Sequence, residues 1–250
     1  MSGPEIILRS DETLDDLRLG GLKIIQKKDG YRFSLDPVLL CAFARVAPGE
    51  ALADLGTGSG VIPLLLARMS EAERLVGVEV QPGMAGRARR SVELNGLAGR
   101  VEIVEADLRS LQGTLPAQGF DVVLANPPFR PLGTGRQAPT SERGAARHEQ
   151  AGGLGDFLRA AAFLLGDGGR FYVVYLAERL VDLLAGMREA GLEPKRLRCV
   201  HSRRGEGARM VLLEGRRRGR PGLVVEPPLY VCEGEDYSAE VLTIYGEQKP

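Results

Sequence analysis

The chain has 250 residues, 44% of them hydrophobic and 26% charged, the make-up of a globular protein long enough to bury one sizeable core without covalent staples. Lysine plus arginine and aspartate plus glutamate both total 33, so zero net charge excludes a uniformly basic coat, while Cys41, Cys199, Cys232, His148 and His201 are too few and too scattered for a disulfide framework or a zinc site. No apolar run reaches the length of a membrane span, and Met1-Ser2-Gly3-Pro4-Glu5 is not a basic segment leading into an apolar one, so a cytoplasmic protein without metal is expected.

In chain order, Leu22 to Gln26 reads as a strand, and Asp29-Gly30 is a turn signal ahead of Tyr31-Arg32-Phe33, which predicts a hairpin. Asp36 as N-cap with Pro37 at the first helical position predicts a helix to about Arg45, ended by Pro48-Gly49. Residues 1–45 are therefore expected to form a hairpin and a covering helix, and residues 46–250 the main domain. From Ala51 onward short apolar strands alternate with helices, which predicts an α/β, doubly wound, mostly parallel sheet of seven strands. Pro82 opens one helix and Asn95-Gly96 closes it; others are expected from about Leu154 to Leu165 and from about Ala177 to Ala190. Arg196 to His201 and Ala208 to Glu214 are joined by a short connection, so the last strand is expected to return antiparallel as a C-terminal hairpin. The tail beyond Pro221 carries enough apolar residues to pack on the domain.

The chemistry-bearing residues fall at strand ends. Ala51 to Leu55 carries Asp54 and opens into Gly56-Thr57-Gly58-Ser59-Gly60 before a helix, an order that lets a nucleotide-like ligand approach the backbone and the free N–H groups of the helix start. A lone glycine loop is weak evidence, and the spacing lacks the G-x-G-x-x-G of dinucleotide folds. Leu75 to Val80 places Glu79 where a carboxylate can accept from both hydroxyls of a ribose, and Asp107 follows Val101 to Glu105, where it could accept from an amino group on a ring. Each acid alone is an ordinary solvated strand-end residue. Three in succession, before a fourth strand, Phe120 to Ala125, that runs into Asn126-Pro127-Pro128-Phe129, form a pattern. The prolyl pair makes a rigid, donor-poor turn, in which the Asn126 side-chain oxygen and the Pro127 carbonyl can each accept one hydrogen of an NH2 group while Phe129 offers a face to a planar ring.

Residues 130–153 hold Arg130, Arg136, Arg143, Arg147 and His148-Glu149 with little periodicity, and a connection of that length is expected to be a substrate-binding loop. Between Lys195 and Arg220, basic residues including Arg203 and Arg204 face only Glu206 and Glu214. A charge run is usually a solvated face, but beside a group-transfer site it also suits a phosphate backbone.

The ordered set of Asp54, Gly56, Gly58, Gly60, Glu79, Asp107 and Asn126 to Phe129 resembles the class I S-adenosylmethionine-dependent methyltransferases of the amino-methylating branch. The resemblance implies a Rossmann-like methyltransferase fold, S-adenosylmethionine as cofactor, and a catalytic loop at Asn126, Pro127, Pro128 and Phe129. It places Asp54, Gly56, Gly58 and Gly60 around the methionine part, Glu79 at the ribose and Asp107 at the adenine. Further blocks, Gly21 to Gln26, Asp29 to Leu40, Ala146-Arg147-His148-Glu149, Val200 to Arg203, Pro227-Pro228-Leu229 and Tyr237 to Val241, resemble the bacterial tRNA adenine-N6 methyltransferases acting at position 37 of valine tRNA. That likeness implies that Phe33, Ser34 and Asp36 close over the cofactor and that Arg147, Arg203 and Arg204, with Arg130 from the long loop, meet RNA.

Other readings stay open. A ribosomal-RNA guanine-N2 methyltransferase can carry the same turn, and a protein glutamine N5 methyltransferase more often has Tyr in place of Phe129. An NAD-dependent oxidoreductase is disfavoured by the glycine spacing, and a noncatalytic RNA-binding factor by the retention of Glu79, Asp107 and Asn126.

Overall fold

The central strands are apolar along their length because both of their faces are covered. β3 (Ala51–Leu55), β4 (Arg74–Glu79) and β6 (Phe120–Ala125) are buried at nearly every position, as parallel strands between two helix layers must be. The computed structural model describes residues 7–29, 32–128 and 152–246. Phe129, Arg130, Arg147 and the rest of the expected substrate loop to residue 151 lie outside the described residues, as does the Gly30-Tyr31 pair.

One helix layer comprises α1 (Asp36–Phe43), α2 (Val61–Met69) and α3 (Pro82–Leu94); the other comprises α4 (Leu154–Leu164) and α5 (Leu180–Glu189). Successive residues of a strand point to opposite faces, so Leu52 packs with the first layer and Ala53 and Leu55 with the second. β5 (Val101–Glu105) follows α3, and β7 (Leu165–Leu176) follows α4 directly. β8 (Leu192–His201) and β9 (Ala208–Arg217) then complete the seven expected strands.

The sheet order is β10-β8-β9-β7-β6-β3-β4-β5, with β9 antiparallel to both β7 and β8 and the other pairs parallel. Two additions make nine strands where seven were expected. β10 (Val224–Val225) and β11 (Leu229–Tyr230) pair with β8, covering an edge whose amides would otherwise be unpaired. Strands of two residues are too short to show periodicity. The antiparallel β9 is interior, not terminal. Beyond it the tail forms a small hairpin, β12 (Cys232–Glu233) with β13 (Asp236–Tyr237), and α6 (Ala239–Ile244), capped by Ser238.

The N-terminal hairpin has a different partner from the one expected. β2 (Lys23–Lys27) pairs with the upstream β1 (Glu12–Asp16), and residues 32–34 make no strand. The other edge of β2 belongs to α3: Ser91 Oγ accepts from the Ile25 N–H at 2.9 Å, and Asn95 accepts from the Lys23 N–H at 2.9 Å and donates to its carbonyl at 2.7 Å. Side chains of α3 thus take the Lys23 and Ile25 amides on the edge where a strand after Asp29 would have to pair. Arg90 of α3 also pairs with buried Glu12, clasping the hairpin at its far end. α1 begins at Asp36 with Leu35 as N-cap, so Asp36 sits in the first turn and not at the cap.

Candidate active site

The strand register brings four carboxyl ends into one row. Leu55 lies opposite both Val78 and Ala125, and Glu79 lies opposite Glu105. The glycine loop, Glu79, the segment leading to Asp107, and Asn126 therefore emerge side by side. The chain turns from β3 toward β4 on one side and toward β6 on the other, and the crevice at such a reversal is where open α/β sheets seat ligands.

The loop after β3 needs its glycines. Gly56, Gly58 and Gly60 have φ of 69°, 59° and 87°, the left-handed region where a side chain is strained. A Cβ would also stand 3.1 Å from the Phe157 ring at Gly56 and 3.2 Å from Ala88 at Gly60, whereas nothing lies closer than 3.9 Å at Gly58. Glu79 fixes the loop from the next strand: one carboxylate oxygen accepts from the Gly58 N–H at 2.9 Å and the other from the Gln81 N–H at 2.8 Å.

Asp54 is 3% exposed, and among the described residues neither of its oxygens has a partner within hydrogen-bond geometry; the buried Thr57 hydroxyl beside it has none there either. Burial pushes the Asp54 carboxyl up to about 8, with the Glu79 charge adding to the effect and the nearby Thr57 hydroxyl opposing it. Buried acceptors left open by the chain itself are what a cationic ligand group would satisfy. Burial and the proximity of Asp54 also push the Cys41 thiol of α1 upward, which puts that helix against the same spot. Phe33, Ser34 and Asp36 precede Cys41 at the start of α1: Phe33 packs on the core, Ser34 is exposed, and half-buried Asp36 is raised by desolvation against a hydrogen bond from Ser34.

Asp107 differs from expectation in one respect. Arg109 clamps it through Nε at 2.9 Å and Nη2 at 2.6 Å and through its own N–H at 2.9 Å, and this holds the carboxyl below the usual range. Sequence reading missed Arg109, although an arginine two residues after an acid in a turn is a local signal. Asn126 is half-buried, Pro127 is buried and Pro128 half-buried at the end of β6.

The basic segment does not form one surface. In the middle of β8, Arg196 bonds Glu214 at 2.8 Å, Glu226 at 3.1 Å and the Phe43 carbonyl at 2.6 Å, and stacks on the Phe43 ring. Arg198 grips Glu240, while Arg216, Arg217 and Arg218 bind the turn around Asp167 and Gly168. Arg203 and Arg204 occupy the β8–β9 turn instead. Because β8 is antiparallel to β9, which is antiparallel to β7, that turn leaves the sheet at the same edge as Asn126.

A profile of the methyltransferase small domain matches residues 37–181, which include the carboxyl ends of β3, β4, β5 and β6. The chain belongs to the methyltransferase small domain family. Its similarity to the tRNA1(Val) (adenine(37)-N6)-methyltransferase of Porphyromonas gingivalis is 34% identity over 158 residues, 61% of either chain, so it spans about three fifths of that relative's length. The enzyme of the same name from Actinobacillus succinogenes is 30% identical over 214 residues, covering 85% of this chain and 82% of the relative. Among solved structures, a predicted O-methyltransferase from Agrobacterium tumefaciens superposes with a TM-score of 0.68 at 24% identity, over 86% of this chain and 98% of that one, a likeness of fold. In this chain the family match stops before Arg203, so the β8–β9 turn and the tail stand outside the matched domain.

Proposed function

We propose that this chain transfers the methyl group of S-adenosylmethionine to N6 of an adenine in tRNA, at position 37 of a valine tRNA. The observation that carries the reading is the row of strand ends that sets Asn126-Pro127 one strand away from the glycine loop and the open Asp54 acceptors. The names of the relatives supply the substrate. Work on tRNA implies a cytoplasmic enzyme, and among the described residues no helix is long and apolar enough to cross a membrane.

The chain's own groups divide the work. Asp54 and Thr57 would hold the cationic amino-acid end of the cofactor over Gly56, Gly58 and Gly60; Glu79 would accept from the ribose and Asp107 from the adenine. Phe33, Ser34 and Asp36 would close the site from α1. When bound, the cofactor supplies an electrophilic methyl whose carbon–sulfur bond breaks as the nitrogen–carbon bond forms, the electron pair staying on sulfur. The adenine amino group is a weak nucleophile because its lone pair is spread into the ring. The Asn126 Oδ1 and the Pro127 carbonyl would accept its two hydrogens, favour a pyramidal nitrogen and aim the lone pair at the methyl carbon, with Phe129 stacking on the base. Alignment of this kind is worth roughly 7–11 kcal/mol in well-oriented reactions, so no strong base is required. The surplus proton, acidic only after transfer, leaves along the hydrogen bond to Asn126 or Pro127. Arg130, Arg147, Arg203 and Arg204 would hold the RNA backbone.

Mass spectrometry of tRNA from a strain lacking the protein tests the reading. We expect N6-methyladenosine to disappear from valine tRNA and to return with the wild-type gene but not with Asn126→Ala. Unchanged tRNA with N2-methylguanosine missing from ribosomal RNA would overturn it.

A further inference from the structure

A second hollow lies along the same sheet edge, outside the crevice. It measures about 380 Å³ and is lined by Arg203, Arg204, Tyr230, Cys232, Glu233 and Gly234. Its walls are tied together. His201 Nδ1 donates to the Glu206 carbonyl at 2.7 Å and so closes the β8–β9 turn. The Cys232 N–H donates to the Ser202 carbonyl at 2.9 Å, and Arg203 Nε to the Gly234 carbonyl at 3.2 Å, so the turn and the β12–β13 hairpin form one rim. Tyr230 forms the floor, with the Arg204 guanidinium 5.0 Å from its ring centre and the His201 ring 5.5 Å away.

The charge of the hollow is net positive: two guanidinium groups face one lining carboxylate, Glu233. Arg203 comes no nearer than 4.0 Å to Glu206, with its side chain 55% exposed, and Arg204 has no acidic partner among the described residues. This separates the pair from Arg196 and Arg198, whose guanidinium groups are paired closely with carboxylates of β9 and the tail. An arginine pair over an aromatic floor suits a phosphate with its attached sugar.

We propose that this hollow is a second RNA subsite, which takes the sugar-phosphate of a nucleotide a few positions along the strand from the target adenine. The inference rests on the RNA reading above and adds a position and a consequence to it. From β6 to β8 the sheet passes through β7 and β9, three strand steps or roughly 14 Å at the usual spacing. An RNA that fills both sites must lay several nucleotides of backbone along the carboxyl edge. A tRNA loop can span that distance, and a trinucleotide centred on the same adenine cannot. The hollow therefore makes the enzyme sensitive to substrate length.

The test compares wild type with Arg204→Gln and Tyr230→Ala, with Arg204→Lys and Tyr230→Phe as conservative partners. Binding of a valine tRNA transcript is followed by fluorescence anisotropy across a salt series, and methyl transfer is compared on that transcript and on the trinucleotide. We expect Arg204→Gln to weaken tRNA binding about tenfold and to shallow its salt slope by about one. Its melting temperature and cofactor affinity should stay at wild-type values, and the preference for tRNA over trinucleotide should shrink. Arg204→Lys should retain the salt slope, and Tyr230→Phe should retain affinity that Tyr230→Ala loses. An Arg204→Gln variant that binds tRNA with wild-type affinity and slope, or that loses tRNA and cofactor together, would overturn the proposal. Should the wild type methylate no adenine while Arg204→Gln still loses tRNA in this manner, the subsite stands and the reaction assigned above falls.

Discussion

Asp54 carries a pH dependence that can be read in two ways. Its carboxyl is raised to about 8 in the folded chain, well above the ordinary carboxylate value, by burial first. A raised carboxylate favours folding while it is protonated. Its contribution is complete below the unfolded value and is lost as pH rises through about 8. We expect the ligand-free protein to lose thermal stability between about pH 4 and about pH 8, the interval between the ordinary and the raised value, more steeply than Asp54→Asn, whose amide stays neutral; parallel melting curves would remove Asp54 as the cause. Binding of a cation should draw the proton off, so cofactor affinity should rise with pH up to about 8 and calorimetry below that pH should register proton release. Asn126 has a different signature. Asn126→Ala should lower kcat by about a hundredfold, as loss of one positioned hydrogen-bonding group at a reaction centre commonly does, with cofactor affinity little changed. An unchanged kcat would take Asn126 out of the chemistry.

At the scale of elements, the glycine loop allows a graded comparison. Gly58→Ala meets no close neighbour and should cost about 1 kcal/mol of left-handed strain, whereas Gly56→Ala adds a 3.1 Å contact with the Phe157 ring and should cost more. Urea melts of the two variants check the order, and the reverse order would deny the loop its packing role. The N-terminal hairpin should detach locally. Ser91→Ala removes the acceptor for the Ile25 N–H, a buried donor, at a cost of about 1–3 kcal/mol, and hydrogen exchange should quicken in β1 and β2 while β3 and β6 keep their protection. The glycine loop, the strand-end acids and the α3 boundaries were legible in the sequence because each rests on local chemistry: positive φ, a carboxylate after an apolar run, proline before and glycine after a helix. The partner of β2 was not, since Asp29-Gly30 is a true turn signal overruled by Ser91 and Asn95 from a helix far along the chain. The closure of Asp107 by Arg109 is different: its signal is local, an arginine two residues after an acid in a turn, and it was overlooked.

Across the whole molecule, strand direction decides what the arginines do. The sequence presents Lys195 to Arg220 as one basic run, but β8 and β9 carry its parts to opposite ends of the sheet. Composition contains no record of that reversal. Arg196 and its neighbours knit the tail to the sheet, and Arg203 with Arg204 reaches the site edge. Arg196→Ala leaves Glu214 and Glu226 without their shared cation in a site where the arginine is 12% exposed, so it should cost about 3 kcal/mol and loosen β10 and the tail without a salt-dependent change in RNA affinity. Stability at the wild-type level would show the clasp to be dispensable. The tail strands β10 to β13 escaped prediction because pairs of two residues acquire meaning only from the edge they meet.

The most direct measurement uses purified protein, S-adenosylmethionine with a labelled methyl group, and valine tRNA transcripts carrying either adenine or guanine at position 37. One labelled methyl per adenine-bearing transcript is expected, recovered as N6-methyladenosine after digestion, and none on the guanine-bearing one. Label recovered as N2-methylguanosine, or adenine-bearing and guanine-bearing transcripts labelled alike, would contradict it.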